Sequence, residues 1–243
     1  MTAAGVSRWD ALTVAIVAKE CRPGRVKTRL CPPLLPEQAA ELAATSLAQT
    51  MSTVRDLPVR QRVLFFDGDA AGAGAPDDAA AFTVLPQPGG GLDERLAHLC
   101  ATVTGPLMII GMDTPQLAPT DLTPLRRDWA RPDPEADAWF GPAADGGFWA
   151  LALAEPAPEL IRGVPMSVER TGAEQRSRLV AAGLRVGDLG TLRDVDVVDD
   201  AVDVAGLCPG TPFARLCDQW GLTSPAVPGR HREFGVASSG DRR

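Results

Sequence analysis

Tyrosine is absent from this chain of 243 residues, and aromatic side chains make up only 5% of it. Little material is left for the stacking platforms that hold unpaired bases. The net charge is -7, and an acidic surface repels a polyanion everywhere except at one basic loop, so nucleic acid is disfavoured and no nucleic-acid partner is expected. The cysteines, Cys21, Cys31, Cys100, Cys208 and Cys217, are odd in number and show no C-x-x-C spacing. That argues against a disulfide framework and against a structural zinc site, and it predicts a reducing, cytoplasmic setting. No apolar stretch approaches the roughly 20 residues that span a bilayer, and the N-terminus lacks the long apolar region of a signal peptide. No internal repeat is present. A soluble protein without a membrane span is expected.

What the chain does have is 45% apolar residues, enough to build a sizeable core from Ala, Val and Leu in one α/β domain. Short apolar runs predict strands at Leu12 to Ala18, Arg62 to Phe66, Phe82 to Leu85, Leu107 to Ile110, Ala138 to Phe140, Phe148 to Ala154 and Leu184 to Val186. Helical periodicity predicts helices at Pro36 to Arg55, Asp93 to Thr102, Pro119 to Ala130, Val168 to Ala182, from near Asp199, and around Phe213, Leu216 and Trp220. Strands alternate with helices, so the expected fold is a mainly parallel sheet covered on both faces, with an antiparallel element near Phe148. The expected domain spans 1–222. Residues 223–243 turn to Pro, Gly, Ser and charge without apolar periodicity and read as a disordered tail.

The segment Lys19 to Leu30 reads K-E-C-R-P-G-R-V-K-T-R-L. It leaves the carboxyl end of the first strand, the sheet edge where α/β proteins bind ligands. Lys19, Arg22, Arg25, Lys27 and Arg29 suit phosphate through charge-assisted hydrogen bonds, and Gly24 and Thr28 add a pliant backbone and a hydroxyl. A solvated basic turn is the plain alternative. A Walker A loop is not, because the glycines that should precede Lys27 are missing.

Asp113 lies just past a buried strand on the same edge, where its carboxylate could hold Mg²⁺ beside substrate phosphates; the alternative is a turn residue ahead of Thr114-Pro115. In Asp194-Val195-Asp196 the two carboxylates point to one side of an extended segment, and a cation would relieve their repulsion. With Asp199 and Asp200 they could instead cap the next helix. Asp145-Gly146-Gly147 is a tight turn whose backbone can approach a ligand closely, or an ordinary hairpin.

Together these stretches resemble the DUF2064 transferases, also described as radical-SAM/selenodomain-associated transferase 1, within the GT-A-like nucleotide-diphospho-sugar transferase superfamily. The matching pieces are K-x-x-x-P-G-x-V-K-T-R-L at Lys19 to Leu30, G-x-D-x-P-x-L at Gly111 to Leu117, G-P-A-x-D-G-G at Gly141 to Gly147, and D-V-D at Asp194 to Asp196. The loop is also similar to that of 2-phospholactate guanylyltransferases. The resemblance implies a GT-A-like, Rossmann-like fold, with Asp113, Asp194 and Asp196 holding Mg²⁺ or Mn²⁺. It puts Gln87 and the glycines after it, Gly90 among them, at the nucleotide base, and Asp145, Gly146 and Gly147 at the acceptor. The chain departs from the family at Phe148, usually Tyr, at Val197, usually Thr, at Cys21, usually Pro, and at Asp93, commonly Gly.

The expected activity is metal-dependent nucleotidyl transfer from a nucleoside triphosphate to a small anionic acceptor with release of pyrophosphate. Lys19, Lys27 and Asp113 are the expected catalytic residues, and Arg22, Gly24, Arg25, Thr28 and Arg29 the phosphate contacts. The alternative is a glycosyltransferase using a nucleotide sugar, with Asp145 as a candidate base. A non-catalytic nucleotide-binding module is disfavoured by the presence of Lys27, Asp113 and Asp196.

Overall fold

A computed structural model describes residues 6–69 and 76–222; the tail expected from residue 223 lies outside them. Seven strands form one sheet in the order β3-β2-β1-β4-β6-β5-β7, with β1 at Thr13–Lys19, β2 at Gln61–Asp67, β3 at Thr83–Pro86, β4 at Leu107–Gly111, β5 at Ala138–Pro142, β6 at Phe148–Leu153 and β7 at Val186–Asp188. Only β6 runs against its neighbours β4 and β5; the other pairings are parallel. The predicted α/β class and the antiparallel element at Phe148 therefore hold.

Side-chain alternation along β1 distributes the core. Val14, Ile16 and Ala18 face Ala43, Leu47, Met51 and Val54 of α1, Pro36–Arg55, on one side of the sheet. Ala15 faces the other side, where Leu96, Leu99 and Cys100 of α2, Leu92–Thr102, and Leu179 of α4, Thr171–Ala181, pack. Fully burying one such Leu or Ile side chain stabilises by roughly 1.5–3 kcal/mol. α3, Thr123–Trp129, follows a 3-10 turn at Pro119–Leu122, so the single helix predicted over 119–130 is two pieces.

A third cluster sits beyond the sheet. α5, Val198–Leu207, and α6, Pro212–Gln219, bury Ala201, Val204, Phe213 and Cys217 against Leu42 of α1 and against Leu30, Leu34 and Val195. Leu30 belongs to the basic loop and Val195 to the acidic D-V-D, so this small core fastens both charged segments to the same body. No described helix is long and apolar enough to cross a membrane.

Candidate active site

β1 and β4 are parallel neighbours with Thr13 opposite Leu107 and Val17 opposite Gly111. Their carboxyl ends therefore release the basic loop and the Gly111–Leu117 loop side by side. Three polar groups of α1 hold the second loop: Ser46 Oγ donates to Met112 O at 2.9 Å, Gln49 Nε2 to Pro115 O at 2.5 Å and Thr53 Oγ1 to Leu117 O at 3.1 Å. The sequence reading passed over these residues. Their signal was a polar stripe at helical spacing, 46, 49 and 53, on a helix otherwise read for its apolar face.

In the basic loop Val26 and Leu30 are buried, each in a different cluster. Anchored on both sides, Lys27 takes a left-handed conformation, φ 48°, unfavourable for a side chain with a Cβ. Its side chain is only 8% exposed, with Nζ 2.8 Å from Asp113 Oδ1 and 2.9 Å from Asp196 Oδ1. The Asp113 contact is an ion pair without hydrogen-bond alignment. Burial opposes the Lys27 charge, but Asp113 and Asp196 prevail and raise its pKa. Arg29 Nη2 donates to Asp196 Oδ2 at 2.8 Å. Burial likewise disfavours the Asp196 carboxylate, yet Lys27 and then Arg29 hold its pKa below the usual range.

The D-V-D segment is threaded into place by backbone bonds: Ala144 N–H donates to Leu192 O and Val195 N–H to Asp113 O, at 2.9 and 3.0 Å. Gln116 Nε2 adds a bond to Arg193 O at 2.8 Å. Val195 turns into the third cluster, so Asp194 and Asp196 both face the cleft, as the alternation predicted. Helix capping falls to Asp200 instead. Its Oδ2 accepts from the Asp196 and Val197 N–H groups, and its Oδ1 accepts from Arg193 Nη1.

Among the described residues Asp194 has no such partners. Burial, and then the charges of Asp113 and Asp145, push its pKa up to about 7, and its buried Oδ1 has no hydrogen-bond donor. This bears on the implied cation. Among the described residues no three acidic, His or Cys side chains gather at ligand spacing, and Asp196 is committed to Lys27 and Arg29. Asp113, which meets Lys27 but not Arg29, and Asp194 remain, and Mg²⁺ commonly takes only one or two carboxylates beside substrate phosphate oxygens. The residues thus fit a cation that arrives with a nucleotide rather than one caged by protein alone.

The other expected site residues surround this point. Lys19 and Arg25 are exposed, whereas Arg22 is paired with Glu20 at 2.8 Å. Gly24, Thr28 and Gly90 are exposed as well. Gln87 does not stand free. Its Nε2 donates to Ala18 O and Phe65 O, and its Oε1 accepts from Arg95 Nη1, so its amide braces the ends of β1 and β2. Asp93 takes a structural role too, accepting from Gly163 N–H at 2.8 Å.

Asp145 Oδ1 accepts from Gly147 N–H at 2.8 Å, closing the turn between β5 and β6. At Gly146, φ is +89°, and a Cβ would lie 2.0 Å from Glu169 O, so no other residue fits. Gly172 N–H donates to Gly146 O at 2.8 Å. This close contact is why α4 starts at Thr171 and not at the predicted Val168: the preceding residues are drawn out as a wall against the turn. Between that wall, Asp113 and the D-V-D lies a cleft of about 600 Å³.

A mostly parallel α/β sheet with an acidic cleft and a basic loop at its carboxyl edge is the arrangement that the resemblance to GT-A-like proteins implied. Residues 50–168 match the family model described as "Uncharacterized protein conserved in bacteria (DUF2064)", so the resemblance read from the motifs holds; that span includes the Gly111–Leu117 and Gly141–Gly147 motifs. No curated protein matches the sequence. Among solved structures, a candidate nucleotide-diphospho-sugar transferase from Desulfovibrio desulfuricans G20 is similar with a TM-score of 0.73 at 20% identity, covering 87% of this chain and 96% of its own. The inositol-1-phosphate CTP transferase of T. maritima gives a TM-score of 0.51 at 13% identity, covering 88% and 98%. Rv0371c of Mycobacterium tuberculosis H37Rv in complex with manganese gives 0.51 at 18%, covering 80% and 97%. At these identities the likeness establishes the fold.

Proposed function

We propose that this protein is a divalent-cation-dependent nucleotidyltransferase, joining a nucleoside monophosphate unit from a triphosphate to a small-molecule acceptor. The observation that carries the reading is Lys27: a buried ammonium between Asp113 and Asp196, beneath a loop with two exposed cations, Lys19 and Arg25, at its rim. A buried charge held by opposite charges is pre-organised, and phosphoryl-type transfer depends mainly on positioning and charge stabilisation. Manganese in one structural neighbour and CTP transfer in another, as their names state, support the same reading.

In this mechanism Asp113 and Asp194 would hold Mg²⁺ or Mn²⁺, which would neutralise charge on the phosphates. Lys19, Arg22 and Arg25 draw the triphosphate to the loop, with Gly24 and Thr28 offering backbone and hydroxyl contacts. Lys27 and Arg29 face it from beside Asp196, and Gly90 lies where the base approaches. Asp145, Gly146 and Gly147 shape the acceptor side. No protein nucleophile is required.

Glycosyl transfer from a nucleotide sugar is the second reading, favoured by one observation: the cleft extends past the charged knot to the exposed Asp145 carboxylate, where a sugar and a base could sit. One assay separates them. Turnover across nucleoside triphosphates and nucleotide sugars with Mg²⁺ is expected to release pyrophosphate and leave the nucleoside monophosphate on the product. Nucleoside diphosphate from a nucleotide sugar, with no pyrophosphate from any triphosphate, reverses the assignment.

A further inference from the structure

The charge of the cleft turns against the anionic acceptor expected from the sequence. The acidic residues Asp113, Asp145, Glu169, Asp194, Asp196 and Asp200 line the cleft, against the single basic residue Arg29. Most of these have a counterpart. Asp196 has Lys27 and Arg29, Asp200 has Arg193, and Asp113 has Lys27. Asp194 and Asp113 are also the pair that fits a cation. Asp145 and Glu169 are left: among the described residues no Lys or Arg lies within ion-pair distance of either.

These two flank an apolar surface. Phe148, Leu92 and Met166 are half-buried in the same cleft, and Val168 and Val197 expose 41% and 39% of their surface at its lips. The wall that carries Met166, Val168 and Glu169 is fixed rather than loose. Val168 N–H donates to Thr171 Oγ1 at 3.1 Å, and Glu169 O lies against Gly146. Exposed valines and a half-buried phenylalanine beside two unpaired carboxylates make poor lining for a phosphate or carboxylate compound, whose charge would be desolvated next to like charge. They suit a ligand with an apolar body and a positive group, which gains from both.

Resting on the nucleotidyltransferase reading, we infer that the acceptor is an amino alcohol with an apolar body, its ammonium held by Glu169 and Asp145 and its chain laid on Phe148, Met166 and Val168. Its hydroxyl oxygen forms the new bond to the α-phosphorus while the bond from that phosphorus to the bridging oxygen breaks. The electron pair of the broken bond leaves with pyrophosphate, and the hydroxyl proton passes to solvent at the open mouth of the cleft.

A matched series tests this: 6-amino-1-hexanol, 1-hexanol and 6-hydroxyhexanoate share a chain and a hydroxyl and differ in charge. Their binding to the full chain, read by NMR line broadening or calorimetry with and without Mg²⁺ and a non-hydrolysable triphosphate, is expected to fall in that order. The expected gap between amine and carboxylate is about tenfold, the effect of some 1.4 kcal/mol. Glu169→Gln is expected to narrow the gap to about threefold or less. Equal or tighter binding of 6-hydroxyhexanoate, an unchanged gap in Glu169→Gln, or no binding of any of the three at 50 mM overturns the inference. The triphosphate analogue is scored separately. If it fails to bind, the nucleotidyltransferase reading falls; if it binds and the carboxylate wins, only the acceptor assignment falls.

Discussion

At the amino-terminal edge of the sheet, Arg185 grips Asp137 through two hydrogen bonds of 2.8 and 2.9 Å, and Arg8 donates to Ala136 O at 2.9 Å. There too Asp128 accepts from the N–H groups of Glu135 and Ala136 and from Trp139 Nε1, and Arg131 pairs with Glu135. At the carboxyl-terminal edge, Lys27 is shared between two acids, and among the described residues Asp194 keeps a buried oxygen without a donor and Asp145 and Glu169 have no cation within ion-pair distance. Both edges have a hollow, about 460 Å³ at the first and about 600 Å³ at the second. Volume therefore does not separate them. What separates them is whether the charges are already answered by the protein, which marks a clasp, or are left for a ligand to answer, which marks a site.

The sharpest way to break this comparison is to remove the charge at its centre. Lys27→Ala is expected to lower turnover by about 10²- to 10³-fold, the scale seen when one stabilising donor is deleted, with the far-UV circular dichroism unchanged. A loss under threefold would return the loop to a solvated turn. Asp113→Asn is expected to abolish cation-dependent nucleotide binding, read as loss of the Mg²⁺-dependent thermal shift, since it removes a ligand charge without removing core volume.

The same operation at the other edge should have the opposite signature. Asp128 is 8% exposed, and Asp128→Ala leaves two backbone N–H groups and an indole N–H without their acceptor. Each buried unsatisfied group costs about 1–3 kcal/mol, so roughly 3 kcal/mol of stability is expected to disappear from denaturant unfolding with kcat unchanged. A drop in kcat exceeding the loss of folded protein would mean that the two edges communicate.

Between these extremes lies α1, which touches no ligand yet holds the Asp113 loop. Ser46 is buried, and Ser46→Ala deletes its bond to Met112 O. About 1 kcal/mol of stability is expected to go with it, together with a several-fold fall in kcat/KM as Asp113 loses its footing. An unchanged kcat/KM alongside the stability loss would show that the loop is positioned without Ser46, by Gln49, Thr53 and the backbone bond to Val195.

Much of this was legible along the chain. The bounds of α1, Pro36 to Arg55, follow from a proline at its start and a regular apolar stripe, and the four apolar residues ahead of Gly111 could only be a buried strand. Local alternation was enough to aim Asp194 and Asp196 the same way. What stayed hidden depends on juxtaposition. Lys27 and Asp196 are 169 positions apart, and no local pattern says that a lysine read as a phosphate contact is already neutralised by a distant acid. The bracing role of Gln87, which the resemblance put at the nucleotide base, stayed hidden because its acceptors are carbonyls of β1 and β2, and backbone carbonyls leave no mark in side-chain patterning. Val168 to Arg170 keep helical letters, yet the close approach of Gly146 and Gly172 outweighs propensity there.

The smallest effect is expected from Asp137, and it sharpens the comparison through pH. The bonds from Arg185 hold its pKa at about 2, below the ordinary 3.8, against the opposing effect of burial. Because the folded value is the lower one, the native state binds fewer protons than the unfolded chain between the two values, and stability falls with acid there. The contribution of the pair is complete above about pH 5 and drains as pH falls towards 2, with about half gone by pH 3. Urea midpoints of the protein and of Asp137→Asn are therefore expected to differ at pH 6, with the parent ahead, and the gap is expected to shrink to about half by pH 3. A gap that persists undiminished at pH 3 would mean that Asp137 acts through hydrogen-bond shape alone and not through charge. In that case the amino-terminal edge could not be called a clasp of answered charges, and the contrast with Asp194 would rest on burial only.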